Sequence, residues 1–109
     1  MSVYRDLPWS AAEKKVARRA FGKAYTRECD TIREHVENLI REQSESRHIW
    51  RVHDYLDQKR QETDAKYDYR YSVLILVFAR LLRQGWLEES DLEGLDADKI
   101  TAIKSVADV

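Results

Sequence analysis

Glycine and proline are almost absent from this chain, and this scarcity constrains its fold more than any other feature. The 109 residues contain three glycines and one proline, Pro8. The glycines are Gly22, Gly85 and Gly94. None of these four residues lies between positions 23 and 84. Because glycine and proline are the strongest local breakers of regular structure, the sequence predicts that this interval is nearly all helix.

The first predicted helix begins at Ser10. The sequence Ser-Ala-Ala-Glu at 10–13 matches a capping box, in which the Ser10 hydroxyl and the Glu13 carboxylate each accept a hydrogen bond from the other residue's amide. The helix should run to about Gln43, with an apolar stripe at spacings of three and four. The stripe consists of Phe21, Tyr25, Cys29, Ile32, Val36 and Leu39. Because a helix of more than about 30 residues exceeds the globular norm, we expect another long helix or a second chain to cover this stripe.

Two serines, Ser44 and Ser46, mark a break after the first helix. The sequence leaves open whether this segment is a turn or a kink through which one continuous helix swaps into a partner. A second helix is predicted from about His48 to Lys66. Its apolar stripe comprises Ile49, Val52, Leu56, Thr63 and Tyr67, which fall within about 60 degrees of one another on an ideal helical wheel.

The C-terminal part of the chain predicts a compact helical head. A third helix holds the apolar run at 73–79 and should end at Gly85, because glycine tolerates the left-handed conformation that follows a helix end. The middle of this helix is apolar on every side, so we expect it to be the most buried element. Asp96 should cap a last helix. That helix carries Ile100, Ile103 and Val106.

These elements predict an all-α fold class and a single domain. Residues of about 10–66 should form a long two-helix hairpin, or extended helices. Residues of about 67–109 should form the compact head.

Charged residues make up 36% of the sequence, yet the net charge is only -1, so both signs are interspersed. A basic run on the first helix interrupts this pattern. It comprises Lys14, Lys15, Arg18, Arg19, Lys23 and Arg27. Glu13, Glu28 and Asp30 break the run, and aromatic platforms for bases are not interleaved with it. We therefore expect a solvated face or a mate for the acidic face of the second helix, and no nucleic-acid partner.

The second helix carries an unusual surface around the sequence His-Asp-Tyr-Leu-Asp-Gln-Lys-Arg at 53–60. His53 and Arg60 lie along one edge of its apolar stripe. The opposite face holds Trp50, Asp54, Asp57, Gln61 and Asp64. An exposed tryptophan among carboxylates covers nothing unless a partner docks on it, or unless it folds over a neighbouring turn. Both interpretations stay open at this point.

Candidate catalytic and metal-binding residues are few. His53 and Asp57 are four residues apart, but two ligands do not complete a zinc site. Glu45 and His48 form a single Glu-x-x-His pair, whereas carboxylate-bridged bundle sites need two. Cys29 lies in the apolar stripe and is expected to be a small core residue. The sequence therefore predicts no catalytic residue, no metal site, no cofactor and no enzymatic activity.

The sequence Lys-Tyr-Asp-Tyr-Arg-Tyr-Ser at 66–72 places three tyrosines at the junction with the third helix. Tyrosine has an apolar ring and a polar hydroxyl, which suits a half-buried hinge and a recognition surface equally well. The sequence does not separate these two uses.

Targeting signals are not evident. The N-terminal ten residues lack the basic start and apolar stretch of a signal peptide, and the apolar run at 73–79 is far shorter than the roughly 20 residues that span a bilayer. The single cysteine fits a reducing compartment. We expect a cytoplasmic protein with no membrane insertion.

Several segments together are similar to one known family. They are Pro-Trp-Ser at 8–10, Phe-Gly-Lys-Ala-Tyr-Thr-Arg-Glu-Cys-Asp at 21–30, and Trp-Arg-Val-His-Asp-Tyr-Leu-Asp-Gln-Lys-Arg at 50–60, together with the segments at 64–82 and 95–99. In this order, and over nearly the whole chain, they resemble the fluorescence recovery proteins of cyanobacteria.

This resemblance implies a homodimer formed through the long helices. It also implies that the chain binds the photoactivated orange carotenoid protein, speeds its return to the resting form and helps its release from the phycobilisome, at the thylakoid. The implied dimer-interface and partner-binding residues are Trp50, His53, Asp54, Leu56, Asp57 and Arg60. The implied partner contacts of the head are Tyr67, Asp68, Arg70, Leu76, Phe78, Lys99 and Lys104. In an antiparallel dimer, Arg60 of one chain would face Asp54 or Asp57 of the other.

Two positions depart from the family pattern. Leu76 stands where the family tends to carry an aromatic residue, and Ala102 stands where lysine is expected. These departures favour an alternative, in which the chain is a dimeric adaptor or chaperone-like module for a different protein client in a bacterium without phycobilisomes.

Overall fold

A computed structural model of the chain describes residues 4–108, and their regular structure is helical. Helix α1 spans Ala11–Glu42, α2 spans Ile49–Lys66, α3 spans Leu74–Gln84 and α4 spans Ala97–Ala107. Short 3-10 helices lie at Ser46–His48 and Glu89–Leu92. The predicted all-α fold class is confirmed for this part of the chain.

Helices α1 and α2 form a long antiparallel hairpin. Lys66 contacts Glu28 and Tyr55 stacks on His35, so residues later in α2 meet residues earlier in α1. The 32 residues of α1 correspond to about 48 Å of helix. This length accounts for most of the 53 Å long axis of the molecule.

The segment between the two helices is a turn in this chain. Gln43 ends α1 in an extended conformation, with φ -91° and ψ 124°, and the 3-10 helix at Ser46–His48 leads into α2. The chain therefore reverses direction here, as the first of the two predicted alternatives requires.

The predicted helix ends are confirmed where the local chemistry is strong. The Glu13 amide donates to the Ser10 hydroxyl at 3.1 Å, and the Ser10 amide donates to Glu13 Oε1 at 3.0 Å. Gly85 ends α3 in the left-handed region at φ 85°. Asp96 precedes α4 at the N-cap position, but its side chain makes no cap hydrogen bond.

The second helix ends at Lys66, as the sequence predicts, and residues 67–73 interrupt the nearly all-helical interval of 23–84. This stretch forms an irregular link between α2 and α3. Tyr67 and Tyr69 place their rings edge-on against Phe21 at 5.4 and 4.9 Å, and Tyr71 contacts Trp9. The three half-buried rings pack along the side of α1. These tertiary contacts hold residues 67–73 in a non-helical conformation, although the segment contains neither glycine nor proline.

The core lies in the head, which we define as α3, the 3-10 helix at Glu89–Leu92, α4 and the part of α1 packed against them. Its largest fully buried side chains are Leu74, Ile75, Phe78, Leu81, Leu92 and Ile103. Six of the eleven residues of α3 are buried, which fits the prediction for this helix. Alanines at 17, 20 and 24 let α1 approach this core closely.

The apolar stripe predicted on α1 lies on one face of the helix, but the neighbouring elements cover this face only in part. Phe21, Ile32, Val36 and Leu39 are half-buried against neighbouring elements, and Tyr25 is exposed. Cys29 is half-buried, so it is not the core residue that the sequence predicts. The core face of α1 is instead the alanine face.

Candidate protein-interaction surfaces

An apolar groove runs between α1 and α2 on one side of the hairpin. It is lined by Tyr25, Cys29, Ile32, Leu56, Lys59, Arg60 and Thr63. Leu56 is 42% exposed, and Ile40 and Ile49 nearer the turn are exposed as well. Apolar side chains aligned along one exposed face are typical of a protein-protein interface, because a monomer gains nothing from leaving them in water.

Trp50 lies on the outer surface of α2 and is 67% exposed. Its ring centre is 6.3 Å from that of His53, in an edge-on arrangement that leaves most of the indole in solvent. The alternative in which Trp50 folds over a neighbouring turn is therefore not what the structure shows. A large exposed aromatic ring of this kind is a suitable anchor for a partner.

The charged residues predicted beside Trp50 form pairs within α2. Arg60 Nε donates to Asp64 Oδ2 at 3.0 Å, and Gln61 donates to Asp57 at 3.1 Å. His53 Nδ1 lies 3.4 Å from Asp54 Oδ1. These side chains are exposed, so the pairs contribute little to the stability of the fold and can be replaced by contacts with a partner.

Leu76 is the most prominent apolar residue on the outside of the head. It is 39% exposed and borders a shallow pocket with Ala65, Asp68, Val73, Val77 and Arg80. Arg70 binds the Asp68 carboxylate through two nitrogens, and these hydrogen bonds lower the pKa of Asp68. Lys104 lies 3.3 Å from Glu89 on the same module. Leu76, Asp68, Arg70 and Lys104 are thus accessible, as predicted contacts must be.

Phe78 and Lys99 lie inside the head, not on its surface. Phe78 is fully buried. Lys99 Nζ lies 3.0 Å from Glu13 Oε2 and 2.6 Å from the Pro8 carbonyl, and its ammonium stacks on the Trp9 ring. Neither side chain can touch a partner unless the head opens, because both are held in the interior.

Sequence reasoning missed a buried polar cluster at the junction of the hairpin and the head. Lys66 Nζ lies 2.6 Å from Glu28 Oε1 and donates to Gln84 at 2.8 Å. The Tyr67 hydroxyl donates to Glu28 Oε1 at 2.8 Å. Burial and the hydrogen bond to Glu28 raise the pKa of Tyr67. The cluster joins α1, the end of α2 and the end of α3, so Tyr67 helps to hold the hairpin against the head.

A sequence signal for this cluster does exist. Glu13, Ala17, Ala20, Ala24 and Glu28 follow one another at spacings of three and four, so both carboxylates lie on the alanine face of α1. A carboxylate on a face that buries alanines requires a cation, and Lys99 and Lys66 are those cations. The pattern indicates that each buried carboxylate needs a cationic partner, but it does not identify the lysines that provide the positive charge.

The basic run of α1 does not pair with the acidic face of α2. Arg27 instead donates to Asp91 at 2.6 Å and to the Trp86 carbonyl at 3.0 Å, and Lys23 lies 3.7 Å from Asp91. Lys14 lies over the Tyr71 ring. The run is therefore an exposed face with one anchor on the head.

Between residues 4 and 108, the structure brings together no group of three or more histidine, cysteine or acidic residues that would hold a metal ion. Within the same range, no helix is long and apolar enough to cross a membrane.

Comparison with known proteins places the chain in a family. A family model described as photoprotection regulator fluorescence recovery protein matches residues 9–107. The fluorescence recovery protein of Synechocystis sp. PCC 6803 is 42% identical over 102 residues, which cover 94% of each protein.

Solved structures agree with this match. The fluorescence recovery protein of Fremyella diplosiphon is similar with a TM-score of 0.85 at 48% identity, and the match covers 94% of this chain and 100% of that one. The Synechocystis sp. PCC 6803 structure has a TM-score of 0.85 at 42% identity, with the same coverage. The relatives are named as regulators and not as enzymes. The chain is a member of the fluorescence recovery protein family, whose model describes a regulator of photoprotection.

Proposed function

We propose that this chain is a homodimeric, non-enzymatic regulator that binds the photoactivated orange carotenoid protein. It accelerates the return of that protein to the resting form and helps its release from phycobilisomes, which ends photoprotective quenching. The observation that carries this proposal is the family match over residues 9–107. The action takes place in the cytoplasm, at the phycobilisome on the thylakoid surface.

The uncovered groove of the hairpin supports the homodimer. A second copy placed on the same face would cover Tyr25, Leu56, Ile40 and Ile49, which one chain alone leaves in water. The exposed Arg60–Asp64 pair lies at the edge of this groove. Arg60 can exchange Asp64 for Asp54 or Asp57 of the second copy, which would set the register of the two hairpins.

The activity requires only binding. A protein that binds an open conformation and the transition state for its closure, the latter more tightly, speeds the closure without any covalent step. Two surfaces of this chain suit such a role. The hairpin surface comprises Trp50, His53, Asp54, Leu56, Asp57 and Arg60. The head surface comprises Asp68, Arg70, Leu76 and Lys104, with Tyr67, Phe78 and Lys99 supporting it from within.

The proposal is tested by the dark relaxation of photoactivated orange carotenoid protein, from red to orange, with and without the chain. We expect acceleration by the native chain and its loss in Trp50→Ala and Arg60→Glu. Arg51→Glu is the matched control, because Arg51 is an exposed arginine on the same helix outside the surface. Acceleration that survives both substitutions would contradict the role of the hairpin surface.

A second candidate function is a dimeric adaptor for another protein client. Leu76 and Ala102 favour it, because the exposed Leu76 gives the head a smaller apolar contact than the aromatic residue expected there. In the same relaxation assay, a folded and dimeric chain that leaves the rate unchanged would support this second function. Recovery of acceleration in Leu76→Phe combined with Ala102→Lys would then assign the change of client to these two positions.

A further inference from the structure

A cationic depression lies on the solvent-exposed side of α1, beside the groove of the hairpin. It is lined by Arg18, Arg19, Gly22, Lys23, Thr26 and Arg27. Its lining residues alternate along the helix with Ala17, Ala20 and Ala24, which face the core. The depression is therefore an outward surface of a helix whose other side is firmly held by the head.

The charges of this surface repel one another within the chain. Lys15 and Arg19, Arg19 and Lys23, and Lys23 and Arg27 are successive like-charge pairs at four-residue spacing, which destabilise a helix. Farther along the same helix, Arg33 and Glu37 form an attractive pair at the same spacing. The chain thus places four cations in succession, Lys15, Arg19, Lys23 and Arg27, along one line of α1.

Internal partners neutralise little of this charge. Asp91 is the carboxylate beneath the depression, and it binds Arg27 at 2.6 Å and approaches Lys23 at 3.7 Å. Lys23 keeps 51% of its side chain exposed. Arg19 has no ion pair among residues 4–108. Arg19 and Lys23 are therefore the two cations of the depression that remain largely available to an external anion.

Gly22 lies at the centre of the depression, and it indicates a partner independently of the charges. Glycine in the middle of an exposed helix lowers its stability relative to alanine. A Cβ built on Gly22 meets nothing within 4 Å, so no contact inside the chain explains the glycine. The missing side chain leaves the helix backbone open to close approach by another molecule, between flanking cations.

The limits of the surface indicate the size and kind of partner. From Arg18 to Arg27 the helix rises about 14 Å. Asp30 and Glu34 follow immediately, so a long phosphate backbone would run into carboxylates. The cations at 15, 19 and 23 are spaced four residues apart, which matches carboxylates at i, i+4 and i+8 of a second helix.

We infer that the depression around Gly22 is a docking surface for an acidic helical segment of a protein partner. The carboxylates of that segment pair with Arg19 and Lys23, and its backbone passes over Gly22. This surface does not include the residues assigned to the hairpin and head surfaces, so it can be tested separately from the regulatory activity.

The test is an amide NMR titration of the full chain at low salt. The probe is an alanine-rich helical peptide with glutamate at i, i+4 and i+8, and the same peptide with glutamine is its control. We expect the glutamate peptide to shift amides between Arg18 and Arg27, including Gly22. Arg19→Gln combined with Lys23→Gln should weaken binding about tenfold.

Two further variants keep the result interpretable. Arg33→Gln combined with Arg41→Gln removes the same charge elsewhere on α1 and should leave the affinity unchanged. Gly22→Leu fills open space, so it should preserve the fold and reduce binding, whereas Thr31→Leu, an exposed position outside the depression, should not.

Three outcomes would overturn the inference. Equal losses in the two double-charge variants would mean that net charge alone attracts the peptide. Binding of polyuridylate in place of the peptide would mean that the surface takes a nucleic acid. A change of sedimentation mass in the Arg19, Lys23 variant would mean that a second copy of the chain occupies the depression.

Discussion

The head and the distal part of the hairpin, residues 29–65, are built from the same kinds of residue but bury them very differently. In the head, large apolar side chains are fully buried and Glu13 forms a buried pair with Lys99, while Glu28 and Lys66 form a second buried pair at the junction with the hairpin. In the distal hairpin, Val52 and Thr63 are the buried residues. Its ion pairs are exposed, as are Ile40, Ile49 and Trp50.

The two regions therefore differ in how far the single chain covers its own apolar surface. The head buries most of its large apolar side chains, and its buried charges are paired within the chain. Two helices packed along one line cannot cover their outer faces, and much of the distal hairpin therefore stays available for association. Substitutions in the two regions should accordingly differ in what they change.

The largest expected effect is in the core of the head. Phe78→Ala should lower the free energy of unfolding by about 4 kcal/mol, because it empties a fully buried site. Leu56→Ala in the distal hairpin should lower the same quantity by less than about 1 kcal/mol, measured below the concentration at which the proposed dimer forms, because Leu56 is 42% exposed in the single chain. Urea unfolding followed by circular dichroism measures both. Equal losses would erase the distinction between the two regions.

The buried charge cluster at the junction should be the next most sensitive feature. Lys66→Met leaves the Glu28 carboxylate buried without its cation, so we expect a loss of about 3 kcal/mol in the same urea experiment. Glu28→Leu added to Lys66→Met should restore most of this loss, because no unpaired charge remains buried. A double variant less stable than the single one would show that the pair itself is needed to join head and hairpin.

Acid should weaken the head through Glu13. Burial by itself raises the pKa of Glu13, but hydrogen bonds from the Ser10 and Asp96 amides and from Lys99 outweigh it and lower the pKa to about 2, from 4.5. A carboxyl whose pKa is lowered by folding contributes its full stability above pH 4.5 and loses it as the pH falls toward 2. Between about pH 5 and pH 3 we therefore expect a loss of about 2 kcal/mol.

Urea midpoints across this pH range measure the effect, and two variants assign it. Glu13→Gln should lower stability at neutral pH and remove much of the acid sensitivity. Glu62→Gln in the distal hairpin should leave the acid sensitivity in place, because Glu62 is exposed to solvent. If Glu13→Gln kept the native pH profile, the acid response would belong to other groups.

The smallest effect is expected at the exposed pairs of the distal hairpin. Asp64→Asn removes the carboxylate that binds Arg60, and we expect a change of less than about 0.5 kcal/mol in the free energy of unfolding. Sedimentation of the same variant tests the proposed dimer, which should persist because Arg60 can pair with the other chain. A large loss of stability would contradict the solvated character of this pair.

Much of the local structure could be predicted from the sequence because its causes are local. The capping box at Ser10, the glycine end of α3 and the apolar periodicity of the helices each depend on residues within a few positions. The exposed surface around Trp50 also followed from helical spacing. The packing of the link at 67–73 did not, because its tyrosine rings are held by contacts with distant residues.

Burial of individual site residues was less predictable. Phe78 and Leu76 belong to one apolar run, yet one is fully buried and the other is 39% exposed. Lys99 and Lys104 belong to one helix, yet one is buried against Glu13 and the other is half-buried beside Glu89. A helix that is apolar on several faces does not reveal from its sequence which face its neighbours will cover.

The amino-acid pattern is enough to predict the helical fold class, the main helix ends and the family to which the chain belongs. Tertiary structure alone decided which charges are buried together, since the Glu13–Lys99 and Glu28–Lys66 pairs join residues 86 and 38 positions apart. The two kinds of information differ in the sequence distance over which they act. Helical periodicity and capping act over a few residues, whereas the choice of facing side chains depends on how several helices cross.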